Sequence, residues 1–134
     1  ADHRGVRDLV RDLNSVYRGT PALWERDTDP SGFAWIAGDA AEDNVFAFLR
    51  FAADGSPLLA VSNFSPVVRH EYRVGVPEDV PAWDEVLNTD GAGYGGGDVR
   101  NPHPVKPEPQ PWHGRAASVR LTLPPLATVW LRPA

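Results

Sequence analysis

Residues 44–64 read NVFAFLRFAADGSPLLAVSNF and set the fold class of the chain. Two apolar runs, residues 44–51 and 58–64, flank the turn-forming pair Asp54-Gly55. Apolar side chains stand at odd and even positions of both runs, which indicates strands that are covered on both faces. Because glycine supplies the backbone freedom of a tight turn, the stretch predicts an antiparallel β-hairpin.

The sequence beyond this hairpin continues in short strands. Residues 83–88 form one, residues 118–123 alternate between apolar and polar side chains, and residues 127–132 make the last strand. Short strands separated by turn residues predict a mainly β protein, an antiparallel β-sandwich of about seven or eight strands. Residues 68–76 also alternate, and the side chains predicted to face the core are those of Val68, His70, Tyr72, Val74 and Val76.

The N-terminal segment has the periodicity of an amphipathic helix. Its apolar residues recur every three or four positions, and Gly19 and Pro21 end the pattern. No second helix is predicted that could cover this apolar face. We therefore expect a helix severed from a preceding domain, and self-association of the chain through the uncovered face. The stripe consists of Val6, Leu9, Val10, Leu13, Val16 and Tyr17.

The composition limits the kinds of function. The 134 residues have room for one domain, and a net charge of −5 argues against nucleic acid as a partner. No apolar run approaches the about 20 residues of a membrane helix, so we expect no membrane partner. The chain has no cysteine and its four histidines lack ligand spacing, so we expect neither metal nor cofactor. It begins at Ala1 and has no methionine, from which we expect a piece of a longer protein.

Two features of the sequence could indicate a binding function. Gly91, Gly93 and Gly96 match a dinucleotide-binding pattern, but the prolines that follow exclude the helix that such a site needs, and we predict a flexible loop. Aromatic side chains offer flat apolar faces to sugar rings, although they could equally pack one part of the protein against another. The candidates for glucan binding are Trp83, Tyr94, Trp112 and Trp130.

Motifs along nearly the whole chain resemble the C-terminal region of bacterial glycogen (1,4-alpha-glucan) branching enzymes of the alpha-amylase superfamily. Their order and spacing, rather than any one motif, carry this resemblance. They are VRDLVRDLN at residues 6–14, GFAWI at 32–36, VSNFSPV at 61–67, YRVGVP at 72–77, EVLNTD at 85–90, YGG at 94–96 and LPPLA at 123–127.

The resemblance implies a division of the chain. Residues 1–20 would be the last helix of a catalytic (β/α)8 barrel that lies upstream, residues 21–43 a linker, and residues 44–134 the C-terminal β-sandwich. The family's catalytic carboxylates lie on barrel strands, so no catalytic residue is expected here. The parent would cut an α-1,4-glucan, hold the glucosyl group as an ester, and transfer the chain to a 6-hydroxyl. The resemblance further implies glycogen as a partner and a bacterial cytoplasmic location.

Two alternatives to a branching-enzyme domain remain open at this point. The chain could be a stand-alone polysaccharide-binding module, which the barrel-type helix disfavours, or an interface module that never contacts sugar. The sequence does not distinguish whether the sandwich contacts glucan itself or only braces the barrel.

Overall fold

The computed structural model describes residues 3–37 and 43–134. The helix α1 spans Arg4–Arg18, and short 3₁₀ turns occur at Pro21–Leu23, Pro30–Gly32 and Ala92–Tyr94. In the described ranges no helix is long and apolar enough to span a membrane. The strands are β1 (Phe33–Ala37), β2 (Val45–Phe51), β3 (Pro57–Asn63), β4 (Arg69–Val76), β5 (Trp83–Asn88), β6 (Ala117–Leu123) and β7 (Ala127–Pro133).

The strands form two sheets of a β-sandwich, as the sequence predicts. One sheet has five strands in the order β1-β2-β3-β7-β5, and the other pairs β4 with β6. Every pairing between these strands is antiparallel. A core of buried apolar side chains from both sheets fills the sandwich, among them Leu49, Leu59, Val74, Val119 and Leu131.

The predicted hairpin is confirmed, with Asp54-Gly55 at its turn. β2 and β3 pair over their full length, from Val45 opposite Asn63 to Phe51 opposite Pro57. Gly55 has a φ of 86°, and the carboxylate of Asp54 accepts a hydrogen bond of 2.9 Å from the amide of Ser56. The turn therefore uses the glycine for its left-handed backbone and the aspartate to satisfy a free N–H.

The predicted orientation of β4 is wrong at His70. The pairing with β6 shifts between Arg69 and Tyr72, and Glu71 adopts a φ of 52°. This β-bulge inserts one extra residue and turns His70 toward solvent, whereas Val74 and Val76 beyond it are buried as expected.

The described part of the predicted linker contributes a strand to the sandwich. β1 lies within residues 21–43 and pairs with β2 as the edge of the larger sheet. The turn Pro21–Leu23 contributes to a second, smaller apolar cluster on the outer face of that sheet. Residues 38–42 of the predicted linker, like residues 1 and 2, lie outside the described part of the chain. The boundary predicted at residue 44 thus falls between two paired strands.

The helix lies against the sandwich with one half of its apolar stripe. α1 contacts β5 and the turn at Ala92–Tyr94. Its backbone approaches that turn so closely that a Cβ on Gly5 would lie 2.5 Å from the carbonyl oxygen of Tyr94. The side chains of Leu9, Leu13 and Val16 are partly buried. The other half of the stripe faces solvent, and Val6 is 62% exposed.

Candidate functional site

Trp83 cannot present its ring to a sugar. It is the largest fully buried side chain, with 0% exposure, and it stands at the start of β5 within the core between the two sheets. Its amide and carbonyl also pair with Val105, at 2.8 Å each. The prediction of Trp83 as a glucan-binding residue is therefore corrected, because the first position of β5 points inward and the segment around Val105 covers that end of the strand.

Tyr94 holds the helix to the sandwich. Its hydroxyl donates a hydrogen bond of 2.7 Å to the carboxylate of Asp12, on the inner side of α1. Burial, together with the hydrogen bond to Asp12, raises the pKa of Tyr94 to about 12. The hydrogen bonds from Tyr94 and, next, Arg11 lower the pKa of Asp12. The polar end of Tyr94 is thus engaged within the chain.

Acidic side chains accept hydrogen bonds from the backbone of the glycine-rich loop that carries Tyr94; that this loop is flexible stays a prediction. The carboxylate of Asp90 accepts hydrogen bonds from the amides of Gly97 and Val99, at 3.0 and 2.9 Å. The carboxylate of Asp98 accepts one from the amide of Ala92, at 3.0 Å. These carboxylates replace the backbone partners of a regular strand and connect the two ends of the loop around Tyr94.

Replacing Tyr94 with phenylalanine is expected to raise the pKa of Asp12 toward its ordinary value of about 3.9. A carboxylate whose pKa is lowered by folding stabilises the native state above its unfolded pKa, and this stabilisation disappears as the pH falls through the folded value. The wild-type helix should therefore loosen on acidification below about pH 4, and the variant should show less of this acid dependence. Carboxyl NMR titration of Asp12 measures the shift.

The matched control for this experiment is Tyr17→Phe, which removes a hydroxyl from an exposed tyrosine of the same helix. It should leave the titration of Asp12 unchanged. An Asp12 pKa that is equal in wild type and in Tyr94→Phe would show that this hydrogen bond does not hold the helix.

Trp130 faces away from the core, as the alternation of β7 predicts, but a neighbouring segment partly covers it. It lies opposite Ala60 on β3 and packs against the smaller apolar cluster, which includes Ala22 of the turn Pro21–Leu23. Its neighbours Val129 and Leu131 are buried in the core. Trp130 therefore anchors the turn Pro21–Leu23 to the outer face of the larger sheet.

Trp112 is the most exposed of the four aromatic candidates, at 44% exposure. It lines a groove of about 570 Å³ beside β4. Most of the other side chains that line the groove are polar. They belong to Asp43, residues 68–73 and His113. The four candidates are thus not brought together: one is in the core, two hold segments of the chain in place, and one lines a groove.

An aromatic cluster on the outer face of the larger sheet was missed as a unit. Phe33 and Trp35 on β1 approach Phe48 on β2, with ring centroids 5.2 and 6.0 Å from that of Phe48. The sequence carried a signal for it, because phenylalanine and tryptophan alternate with alanine in both segments. What was lacking was the assignment of residues 33–37 as a strand, which places Trp35 directly opposite Phe48.

Comparison with known families decides the class of the domain. A family model described as "Alpha amylase, C-terminal all-beta domain" matches residues 35–134. The chain belongs to this family. The match to the alpha-amylase C-terminal all-beta domain begins inside β1, which agrees with the place of that strand in the sheet. Helix α1 and the turn Pro21–Leu23 precede the matched range.

Relatives that carry this all-beta domain are much longer than the chain. The 1,4-alpha-glucan branching enzyme GlgB 1 of Streptomyces avermitilis is 82% identical over 133 residues, which are 99% of this chain and 16% of that protein. GlgB of Rubrobacter xylanophilus is 58% identical over 98% of the chain and 18% of its own length. GlgB of Nocardia farcinica is 53% identical over 96% of the chain and 17% of its length.

Proposed function

We propose that this chain forms the C-terminal β-sandwich of a 1,4-alpha-glucan branching enzyme and braces the catalytic domain of that protein. The observation that carries the proposal is the similarity to GlgB 1 of Streptomyces avermitilis over 99% of this chain, helix α1 included. A module that functioned alone would need only the all-beta domain, which the family model matches from residue 35 onward. Similarity that extends through α1 favours a helix that serves a larger protein.

The surface that we assign to this bracing is the outer half of the helix stripe. Val6 and Val10 are 62% and 52% exposed, and Tyr17 continues the same edge of α1. Trp24 extends it, since its indole N–H donates a hydrogen bond of 2.9 Å to the carbonyl of Tyr17. The inner half of the helix already contacts β5. In this proposal α1 is the last helix of a (β/α)8 barrel and joins barrel and sandwich by one face each.

In the parent protein the barrel would carry out the transfer of an α-1,4-linked chain to a 6-hydroxyl, and this domain would supply no catalytic group. Chemistry at a glycosidic bond needs two carboxyl groups about 5–10 Å apart, flanking the bond within one site. The acidic side chains of the Asp90 loop instead accept hydrogen bonds from backbone amides. Their role is to shape the domain.

The test of this function is an iodine-stain assay with amylose. We expect the parent protein to shift the absorption spectrum of the amylose–iodine complex as branches form, and the 134-residue chain to cause no shift at the same molar concentration. A shift by the chain alone would refute the assignment of catalysis to the upstream domain. A parent protein that is folded but without branching activity would refute the assigned reaction.

Two further proposals concern the state of the protein in the cell and in isolation. We infer that the parent works in the bacterial cytoplasm, in line with its resemblance to glycogen-synthesising enzymes; recovery of the parent in a membrane or extracellular fraction would contradict this. We also infer that the isolated chain self-associates through Val6, Val10 and Tyr17, because an apolar stripe left in water favours association.

A further inference from the structure

We propose that the groove beside β4 binds an α-1,4-glucan chain, with the ring of Trp112 as the surface on which a glucose unit stacks. This rests on the proposed function, since it assigns the polymer handled by the parent to a particular site of this domain. Three properties of the groove support it: an exposed aromatic ring on a backbone fixed to β4, an array of polar groups beside that ring, and a balance of charge.

The backbone of Trp112 is held by a tight hairpin. Trp112 and Arg115 exchange two backbone hydrogen bonds of 2.9 Å each. The two residues between them, His113 and Gly114, have φ values of 51° and 73°, which is the backbone of a two-residue hairpin turn with positive φ at both positions. Such a turn fixes the point from which the Trp112 side chain projects, so that less backbone ordering is needed on binding.

The hairpin is fastened to β4 at Gly75. A Cβ at this position would lie 2.1 Å from the carbonyl oxygen of Trp112, so the close approach requires glycine. The amide of Gly75 donates a hydrogen bond of 3.1 Å to Nδ1 of His113. The backbone of Trp112 is therefore fixed relative to β4, and its ring is not carried on an independent loop.

The polar groups of the groove have the chemistry that binds hydroxyls. Arg69 donates a hydrogen bond of 2.9 Å to the carbonyl of Asp43 and forms one wall, while the exposed His70 and Glu71 form the rim. Arg73 donates a hydrogen bond of 2.7 Å to the hydroxyl of Ser118. Guanidinium groups donate hydrogen bonds to sugar hydroxyls, and carboxylate groups accept hydrogen bonds from them. An aromatic face can cover the C–H side of the sugar ring.

The charge of the groove points to a neutral ligand. Its lining contains two arginines, Arg69 and Arg73, and two carboxylates, Asp43 and Glu71. Their formal charges cancel, so the groove offers neither the positive field that a phosphate needs nor the negative field of a cation site. Among neutral ligands, a sugar fits best, because its C–H face can stack on the exposed Trp112 ring while its hydroxyls bind the charged side chains around it.

The test uses the 134-residue chain, labelled with ¹⁵N, and maltoheptaose as the probe. The chain has five tryptophans, and their indole N–H signals report separately on each position. We expect the Trp112 signal to shift on titration, and Trp112→Ala to weaken the affinity for maltoheptaose by about tenfold or more. Trp112→Phe, which keeps a flat ring, should restore part of the affinity.

The matched control is Trp35→Ala, which removes an exposed indole from the outer face of the other sheet; it should leave the Trp112 shift and its affinity unchanged. Cellohexaose, whose glucose units are β-linked, should shift Trp112 much less. A Trp112 signal that is indifferent to maltoheptaose, or that responds to inorganic phosphate instead, would overturn the proposal. If the parent branches amylose but the Trp112 signal does not respond to maltoheptaose, only the assignment of the groove is wrong. If the folded parent has no branching activity, the proposed function is wrong.

Discussion

Replacing Trp83 with alanine is expected to lower the free energy of unfolding by about 3–5 kcal/mol. The indole is fully buried, so truncation removes a large apolar surface from the core and leaves a cavity between the two sheets. The strand itself is held by backbone pairing with Val105 and β7, which limits the collapse of the surrounding side chains into that cavity. Urea denaturation followed by circular dichroism measures the loss.

Trp112→Ala is the matched control, since it makes the same chemical change at a tryptophan that is 44% exposed and lies outside the core. We expect it to change the free energy of unfolding by less than about 1 kcal/mol. Trp83→Phe should fall between wild type and Trp83→Ala, because it keeps most of the apolar volume. Equal losses in Trp83→Ala and Trp112→Ala would mean that Trp83 does not lie in the core.

The double replacement Val6→Gln and Val10→Gln should affect the parent protein and the isolated chain in opposite directions. In the parent, each valine covered by the upstream domain contributes about 1.5 kcal/mol or more, so the pair should lower the free energy of unfolding by about 3 kcal/mol. In the isolated chain, at concentrations low enough to keep it monomeric, both side chains face solvent. There glutamine, the better helix former, should leave stability unchanged or raise it by a few tenths of a kcal/mol.

The control for this pair is Arg7→Gln with Asn14→Gln, which places the same side chain at two exposed positions on the polar side of α1. It should be close to neutral in both proteins. Thermal unfolding of the parent and of the isolated chain, recorded in parallel for both pairs of variants, measures these differences in stability. A parent that tolerates glutamine at Val6 and Val10 would show that this edge of the helix is not the contact with the upstream domain.

Sedimentation velocity of the isolated chain tests the proposed self-association with the same variants. Val6→Gln with Val10→Gln should shift the chain toward monomer, and the control pair should not. Leu9 and Leu13 are unsuitable positions for this test, because they are partly buried on the side of α1 that faces the sandwich. A wild-type chain that is monomeric at high concentration would contradict the inference.

The elements that the sequence predicted well are those with regular periodicity. The alternation of residues 118–123 placed Val119, Leu121 and Leu123 in the core, and the pair Asp54-Gly55 placed the hairpin turn. These features depend on neighbours close in sequence. β1 was not predicted because its five residues, between glycine- and proline-rich segments, give too short an alternating pattern. The orientation of His70 was predicted wrongly because the bulge changes the alternation of β4 within the strand.

The candidate site was less predictable because its geometry depends on pairs distant in sequence. The aromatic residue types were apparent, but not that Tyr94 would meet Asp12, which lies 82 residues earlier. The position of Trp112 beside the groove depends on the close approach of its hairpin to Gly75 on β4. Burial of Trp83 likewise required the bridge to Val105. Tertiary contacts, rather than residue type, decide that Trp112 is exposed beside the groove and that Trp83 is buried in the core.

The position of β7 has a consequence for how the protein is made. β7 is the last strand along the chain, yet it lies between β3 and β5 in the larger sheet. Until the ribosome has released residues 127–133, β3 lacks its partner on one side and β5 has no neighbouring strand on either side. Unpaired edges recruit other strands. Nascent chains of this domain therefore expose one edge of β3 and both edges of β5 until β7 emerges, and a chaperone that shields sheet edges would act on them during that interval.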